Sequence, residues 1–339
     1  MSEHRLVSIV IPARNEEGNI ARLERELIEA IAGLPYQFEI IVVDNHSSDT
    51  TPDLVKQICA RDFRWRFIRF SRDFTVEASL AAGYRAASGD AIVVLYSDLQ
   101  DPPSEIPRLL AKWEEGYDVV YGVRTARPGD PKWRNIGVRI AYRLIWALSE
   151  VPIPQNAGDF RLISAQVRDA LEQCGEYNRY ARGLISWLGF RQTGVEYERR
   201  PRLAGESKGP FVHTLIFLLT AITSFSLKPL RMFTLLGFAL LGVAAGAIPI
   251  YIVLWFIGSP PPGLTTLTIL VLGGIGFNSL GIGILGEYLG RTYLEVKHRP
   301  LFVIEEVVNL DPTGSGLIPQ RTPLSCDDTL IARHRAEAR

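Results

Sequence analysis

The chain has 339 residues, with 37 Lys and Arg against 37 Asp and Glu and a formal net charge of zero. Balanced, scattered charge excludes the basic stripe of a nucleic-acid-binding protein and describes a solvated surface. Cys59, Cys174 and Cys326 are odd in number, far apart and without paired histidines, which excludes a disulfide framework or a zinc site and fits a reducing cytosol.

The first apolar run, Leu6 to Pro12, is too short and too β-branched for a signal-peptide core, and Val7–Ile11 within it reads as a strand. Asn19 to Ala32 then carries apolar residues at helical spacing, Glu39–Val43 is a second strand, and Thr51 to Ala60 a second helix that Ser48 or Asp49 can cap. A strand at Phe67–Phe70, a helix over Glu77 to Ser88, a strand at Ala91–Leu95, a helix over Ser104 to Gly116 opened by Pro102-Pro103, and a strand at Asp118–Tyr121 follow. Strict alternation of this kind predicts a doubly wound, mostly parallel α/β sheet.

Beyond the alternating part the composition changes. His213 to Leu227 is apolar with few charges and reads as a helix lying on a membrane surface. Between Arg231 and Glu287 no residue is charged, and Ser259-Pro260-Pro261-Pro262-Gly263 divides the stretch into Met232–Ile257 and Leu264–Gly286. Each half exceeds the roughly 20 helical residues that cross a bilayer core, so a transmembrane hairpin is predicted. Lys228 and Arg231 before it, and Arg291, Lys297 and Arg299 after it, put both flanks in the cytoplasm. Gly242 and Gly246 share a helix face and suit close helix contact, within one chain or in a homo-oligomer. Asp311 to Arg339 reads as a loosely ordered tail. The expected division is a catalytic domain over 1–210, an interfacial helix over 211–230, the hairpin over 231–290 and a cytoplasmic tail over 291–339.

In an open parallel sheet, ligands bind beyond the carboxyl ends of the strands. Polar clusters fall there: Pro12-Ala13-Arg14-Asn15-Glu16, Asp44-Asn45, Ser71-Arg72-Asp73 and Asp98-Leu99-Gln100-Asp101. Asp98 and Gln100 offer hard oxygens two residues apart on an extended segment, which suits Mg²⁺ or Mn²⁺ shared with a diphosphate. Asp101 has a second reading as the cap of the next helix. Downstream, Arg124, Arg134, Gly158-Asp159-Phe160-Arg161, Arg199, Arg202 and Gly205-Glu206-Ser207-Lys208 form a mostly cationic set. Arginine forks bind phosphates, and a basic face beside a membrane attracts anionic headgroups; Arg199 alone favours the second reading.

Ile11–Glu16, Val42–Asp49, Ser97–Pro103, Gly158–Leu162 and Gly205–Lys208 together resemble the family 2 glycosyltransferases of GT-A (Rossmann-like) fold, and within them the polyprenyl-phosphate glycosyltransferases. The hairpin and Glu295–Pro300 resemble the bacterial bactoprenol glucosyltransferase branch, so the likeness runs from about residue 6 to 305. It implies that Pro12, Arg14, Glu16 and Asp44 hold the nucleoside, with Arg202 also on the donor, Asp98 and Gln100 the metal, and Arg124 and Arg134 the lipid phosphate. Lys208 would assist a phosphate, and Asp159 would act as general base or orient a substrate. The chain departs from the pattern at Tyr96-Ser97-Asp98 (usually Asp-x-Asp), Asn45-His46 (usually Asp-Gly) and Thr75-Val76 (usually Gly-Lys). The implied activity is inverting transfer from a nucleotide sugar, UDP-glucose first, to undecaprenyl phosphate, by a multi-pass protein of the inner membrane whose catalytic domain is cytoplasmic. A processive polysaccharide synthase is the nearest rival, though the chain lacks its Gln-x-x-Arg-Trp. A non-catalytic membrane scaffold is the other.

Overall fold

The computed structural model describes residues 5–124, 157–176, 181–200, 228–258 and 263–310. Arg134, Arg202, Lys208, the expected interfacial helix and the tail from Asp311 lie outside them. In the alternating part, β1 (Leu6–Ala13), α1 (Glu17–Ile31), β2 (Gln37–Asp44), α2 (Thr51–Arg61), β3 (Trp65–Phe70), α3 (Val76–Ala86), β4 (Ala91–Val94), a 3₁₀ turn (Pro103–Glu105), α4 (Ile106–Glu114) and β5 (Val119–Arg124) follow in order. After them come β6 (Ala157–Ser164), α5 (Ala165–Gln173), α6 (Ala181–Trp187), β7 (Gln192–Tyr197), α7 (Lys228–Phe256), α8 (Gly263–Val296) and β8 (Ile304–Val308).

All eight strands form one sheet in the order β7-β5-β6-β4-β1-β2-β3-β8. The β1–β4 run is parallel throughout, whereas β6 runs against both β4 and β5, and β8 runs against β3. The sheet is buried on both faces, which is why its central strands are almost continuously apolar. Val7, Ile9 and Ile11 of β1 pack with α1, α2 and α4, while Val10 packs with α3, α5 and α6 on the other face. The period of two along β1 thus assigns the helices to two layers.

Three strands were not anticipated from local pattern. β6 contains the Gly158–Arg161 motif, β7 ends at the second arginine cluster, and β8 falls in the segment expected to be tail. That expectation is corrected over 304–308: Phe302 stacks on Phe70 with ring centroids 5.3 Å apart. Asn309 Nδ2 also donates to the carbonyls of Cys59 and Trp65, both at 2.9 Å. The sheet therefore draws on chain from both sides of the long helices.

α7 and α8 are 29 and 34 residues long and lie together, with Phe233 and Phe277 stacked at 4.4 Å. Phe233–Leu254, of mean hydropathy 2.2 and with none of it buried in the protein, is long and apolar enough to cross a membrane. Among the described residues it is the one such helix, where the apolar pattern predicts two.

Because β8 is antiparallel to β3, with Phe70 opposite Ile304 and Phe67 opposite Val308, the chain coming from α8 enters the sheet at the carboxyl end of β3. Ser71 N, just past that end, donates to Val303 O at 3.0 Å. The long helices are thus joined to the edge where the polar loops gather.

Candidate active site

The turn after β4 is the centre of that edge. Ser97 Oγ donates to Pro12 O at 3.0 Å, tying the turn to the end of β1. Leu99, 1% exposed, has φ +53°, a left-handed conformation that leucine rarely takes. Asp98 and Gln100 therefore flank a strained turn and do not lie on an extended segment; Gln100 N donates to Asp98 Oδ1 at 3.2 Å. Gln100 is buried and Asp98 half-buried. Their oxygens are the donor type that Mg²⁺ and Mn²⁺ prefer. Among the described residues no group of three or more His, Cys, Asp or Glu could hold a metal ion. A cation held by this pair would thus complete its shell with substrate oxygens and water, as Mg²⁺ commonly does.

Asp101 caps no helix: the residues at the N-caps of the 3₁₀ turn and of α4 are Pro102 and Glu105. Its carboxylate is wholly buried and accepts a hydrogen bond from the Tyr197 hydroxyl. Arg199 Nε lies 3.3 Å from Oδ1 and Arg124 Nη2 lies 3.8 Å from Oδ2. Arg199 is therefore an inward residue of the edge, which corrects its reading as part of a membrane-facing basic surface. Burial and repulsion from Arg124 lower its proton affinity. Gly158 makes room for Arg124, since a Cβ there would fall 2.8 Å from Nη2.

The direction of β6 decides the place of Asp159. Val94 pairs with Arg161, and two more residues of that antiparallel register set Tyr96 beside Asp159. The Tyr96 hydroxyl donates to Asp159 Oδ2 at 3.1 Å, and the Arg182 guanidinium grips both carboxylate oxygens. Burial alone pushes the Asp159 carboxyl up, but Arg182, with Arg161 and the Tyr96 hydroxyl, outweighs it and brings it down to about 2. Asp159 thus stays ionised across the physiological range. Tyr96, where the resembled pattern carries a carboxylate, donates to a carboxylate instead.

Glu77 opens α3 beside this pair and accepts from Ala181 N at 3.4 Å. Burial and the negative charge of Asp159 push its carboxyl up to about 7. Neither Glu77 nor Arg182 carried a sequence signal, because their roles depend on α3 and α6 meeting β6. With a folded pKa above the unfolded one near 4.5, Glu77 favours folding in its protonated form, and that advantage is lost as pH rises from about 4.5 to about 7. Glu77→Gln should therefore leave stability unchanged near pH 4.5 and raise it by about 1–3 kcal/mol at pH 8, read by denaturant unfolding at both values.

At the other end of the edge the first three strand-end loops are stitched together. Asn45 Nδ2 donates to Asp73 Oδ1 at 3.0 Å and to Phe74 O at 2.9 Å, and Phe74 N returns a bond to Asn45 Oδ1 at 2.8 Å. Arg14 pairs with Asp73 at 2.6 Å, and Glu16 N donates to Thr51 Oγ1 at 2.9 Å. Asp44 is fully buried; burial raises its proton affinity, while Ser47, through its amide and hydroxyl, and Arg69 at 3.8 Å oppose the rise. Pro12, Arg14, Glu16, Asp44, Asp98, Gln100, Arg124 and Asp159 are thus brought to one edge.

An open α/β sheet with its polar loops, buried carboxylates and arginine forks at one carboxyl edge is built to handle a polar, phosphorylated ligand. Residues 8–171 match the profile described as glycosyl transferase family 2. The chain is 38% identical to the uncharacterized glycosyltransferase YkcC of Bacillus subtilis, covering 92% of this chain and 97% of that one. It is 37% identical to the bactoprenol glucosyl transferase of Shigella phage SfV, over 88% and 98%. A solved structure of glucosyl-3-phosphoglycerate synthase from Mycobacterium tuberculosis, with Mn²⁺, UDP-glucose and phosphoglyceric acid, aligns at a TM-score of 0.43 and 19% identity, over 65% and 78%. The chain belongs to glycosyl transferase family 2, in the branch that includes the bactoprenol glucosyl transferases, and is a glycosyltransferase.

Proposed function

We propose that the protein transfers a glycosyl group, with inversion, from a nucleotide diphosphate sugar to a polyprenyl phosphate at the cytoplasmic face of the inner membrane. UDP-glucose and undecaprenyl phosphate are the first choices, on the strength of the relatives named bactoprenol glucosyl transferase. The observation that carries the reading is the antiparallel entry of β8, which joins the apolar helices to the strand edge bearing the site residues. A lipid acceptor anchored in the bilayer needs such a junction. The hairpin, with α8 as its second span, presents that lipid.

Pro12, Arg14, Glu16 and Asp44 bind the nucleoside, Arg202 and Lys208 the phosphates, and Asp98 with Gln100 a Mg²⁺ or Mn²⁺ ion. When bound, that ion supplies charge neutralisation to the departing diphosphate. The acceptor needs little activation, since a phosphomonoester with a second pKa near ~6 is mostly dianionic at neutral pH. Arg124 and Arg134 place its oxygen against the anomeric carbon. Asp159, already ionised and clamped by Arg182, orients substrate and takes up no proton.

The test is incubation of the purified full-length protein in detergent with undecaprenyl phosphate and a panel of radiolabelled nucleotide sugars, followed by solvent extraction. Label from one donor should enter the organic phase as an acid-labile lipid-phosphate sugar. Absence of organic-phase label with every donor, against a family relative as positive control, would overturn the reading.

A further inference from the structure

Asp101 stands out among the buried groups because its surroundings are unbalanced. Two guanidiniums, Arg124 and Arg199, face this one carboxylate, which is wholly buried. Two buried atoms in the cluster, Asp101 Oδ2 and Arg199 Nε, have no hydrogen-bond partner. A purely structural ion pair pairs its charges and satisfies its donors, because leaving either undone in a low-dielectric site is costly. Asp98 is the other carboxylate whose charge acts on Arg199, and with Asp98 given over to a cation the described residues of the cluster leave positive charge and a buried N–H unmatched, which an anion with oxygen acceptors would complete.

The backbone keeps this arrangement on the site turn. Arg200 N donates to Gln100 O at 2.9 Å, and Arg200 pairs with Glu26 at 2.6 Å. The exit of β7 is thereby fastened to the turn holding Asp98 and Gln100. Tyr197 donates to Asp101 and accepts from Arg124 Nε at 3.4 Å, so one phenol fixes the spacing of carboxylate and guanidinium.

We propose that Arg199 binds a substrate phosphate oxygen beside Arg124, and that Asp101 is the positioning residue that aims both guanidiniums. The inference rests on the functional reading above, which supplies two phosphates: the diphosphate of the donor and the monophosphate of the acceptor. Arg124 closing onto Oδ2 as the anion binds would complete the carboxylate.

The experiment uses the full-length protein in detergent with Arg199→Gln, Arg199→Lys and Asp101→Asn. Calorimetric affinities are measured for UDP against uridine and for farnesyl phosphate against farnesol, and kcat and KM are measured for each substrate at saturation of the other. Losing one charged phosphate contact should weaken one phosphate-bearing ligand by about 10- to 100-fold in Arg199→Gln, with its phosphate-free counterpart unaffected. A loss in the UDP arm assigns Arg199 to the donor, and a loss in the farnesyl phosphate arm to the acceptor. Arg199→Lys should recover part of the affinity through charge without the fork. Asp101→Asn, which keeps an acceptor for Tyr197, should raise the same KM. A folded Arg199→Gln protein with wild-type affinities and KM in both arms overturns the inference, and it decides the matter if Asp101→Asn fails to fold. Wild-type protein that binds neither UDP nor farnesyl phosphate overturns the functional reading first.

Discussion

Replacing Asp98 by alanine should lower transfer by about 1,000-fold or more, and excess Mn²⁺ should not restore it. The turn offers a cation one carboxylate and one amide, Asp98 and Gln100, where the resembled pattern adds another carboxylate at the position of Tyr96. The structure gives Tyr96 to Asp159, so it does not substitute as a ligand. All the formal negative charge this pair brings to a cation then resides on Asp98. Removing it leaves a neutral amide, and neutral ligands alone hold Mg²⁺ or Mn²⁺ weakly. The wild-type enzyme should lose activity in excess chelator and regain it with either ion. A binding readout separates chemistry from collapse: Asp98→Ala should keep its thermal midpoint but lose the metal-dependent part of its UDP affinity. Full wild-type turnover in excess chelator would remove the metal from the reaction.

Asp159→Asn should cost about 100-fold in kcat, equally at pH 5.5 and 8.5. A general base would matter most where the acceptor phosphate still holds its proton, below its second pKa near ~6. Asp159 is unsuited to that task because the Arg182 fork holds its pKa at about 2. Its depressed pKa favours folding above the unfolded value near 3.8, and this contribution is lost as pH falls from there toward 2, outside the assay window. The mutation removes the charge from the partly buried carboxylate that the Arg182 fork grips, which should destabilise the protein by about 2–4 kcal/mol. Rates are therefore compared at saturating substrates and at a temperature where unfolding is negligible. Arg182→Lys, which keeps charge and breaks the two-point grip, should show a smaller loss with the same flat pH profile. Recovery of Asp159→Asn to near wild type at pH 8.5 would assign it a proton-accepting role instead.

The order of β1 to β5 and α1 to α4 was legible because each element is a local pattern: near-continuous apolar strands, helices with apolar residues three and four apart, and polar residues at strand ends. The strand-end rule then collected Pro12, Arg14, Glu16, Asp44, Asp98 and Gln100 with no knowledge of their distances. The shape of the turn at Leu99 was not legible, because a left-handed leucine is imposed by its neighbours.

The sequence by itself determined the layered α/β architecture, the uncharged stretch from Met232 to Gly286, and, through its ordered motifs, the family. Only the tertiary structure decided that β6 runs backwards and delivers Asp159 to Tyr96, that Arg182 neutralises it, and that Asp101 gathers Arg124 and Arg199. It also decided that β8, whose Glu305 side chain meets Arg69 across 236 residues of sequence, closes the sheet beyond the two long helices. The physical reason is shared. Strand direction, ion-pair choice and edge closure are settled by long-range burial and pairing between segments that carry no mutual periodic signal, so they take form only when the sheet assembles.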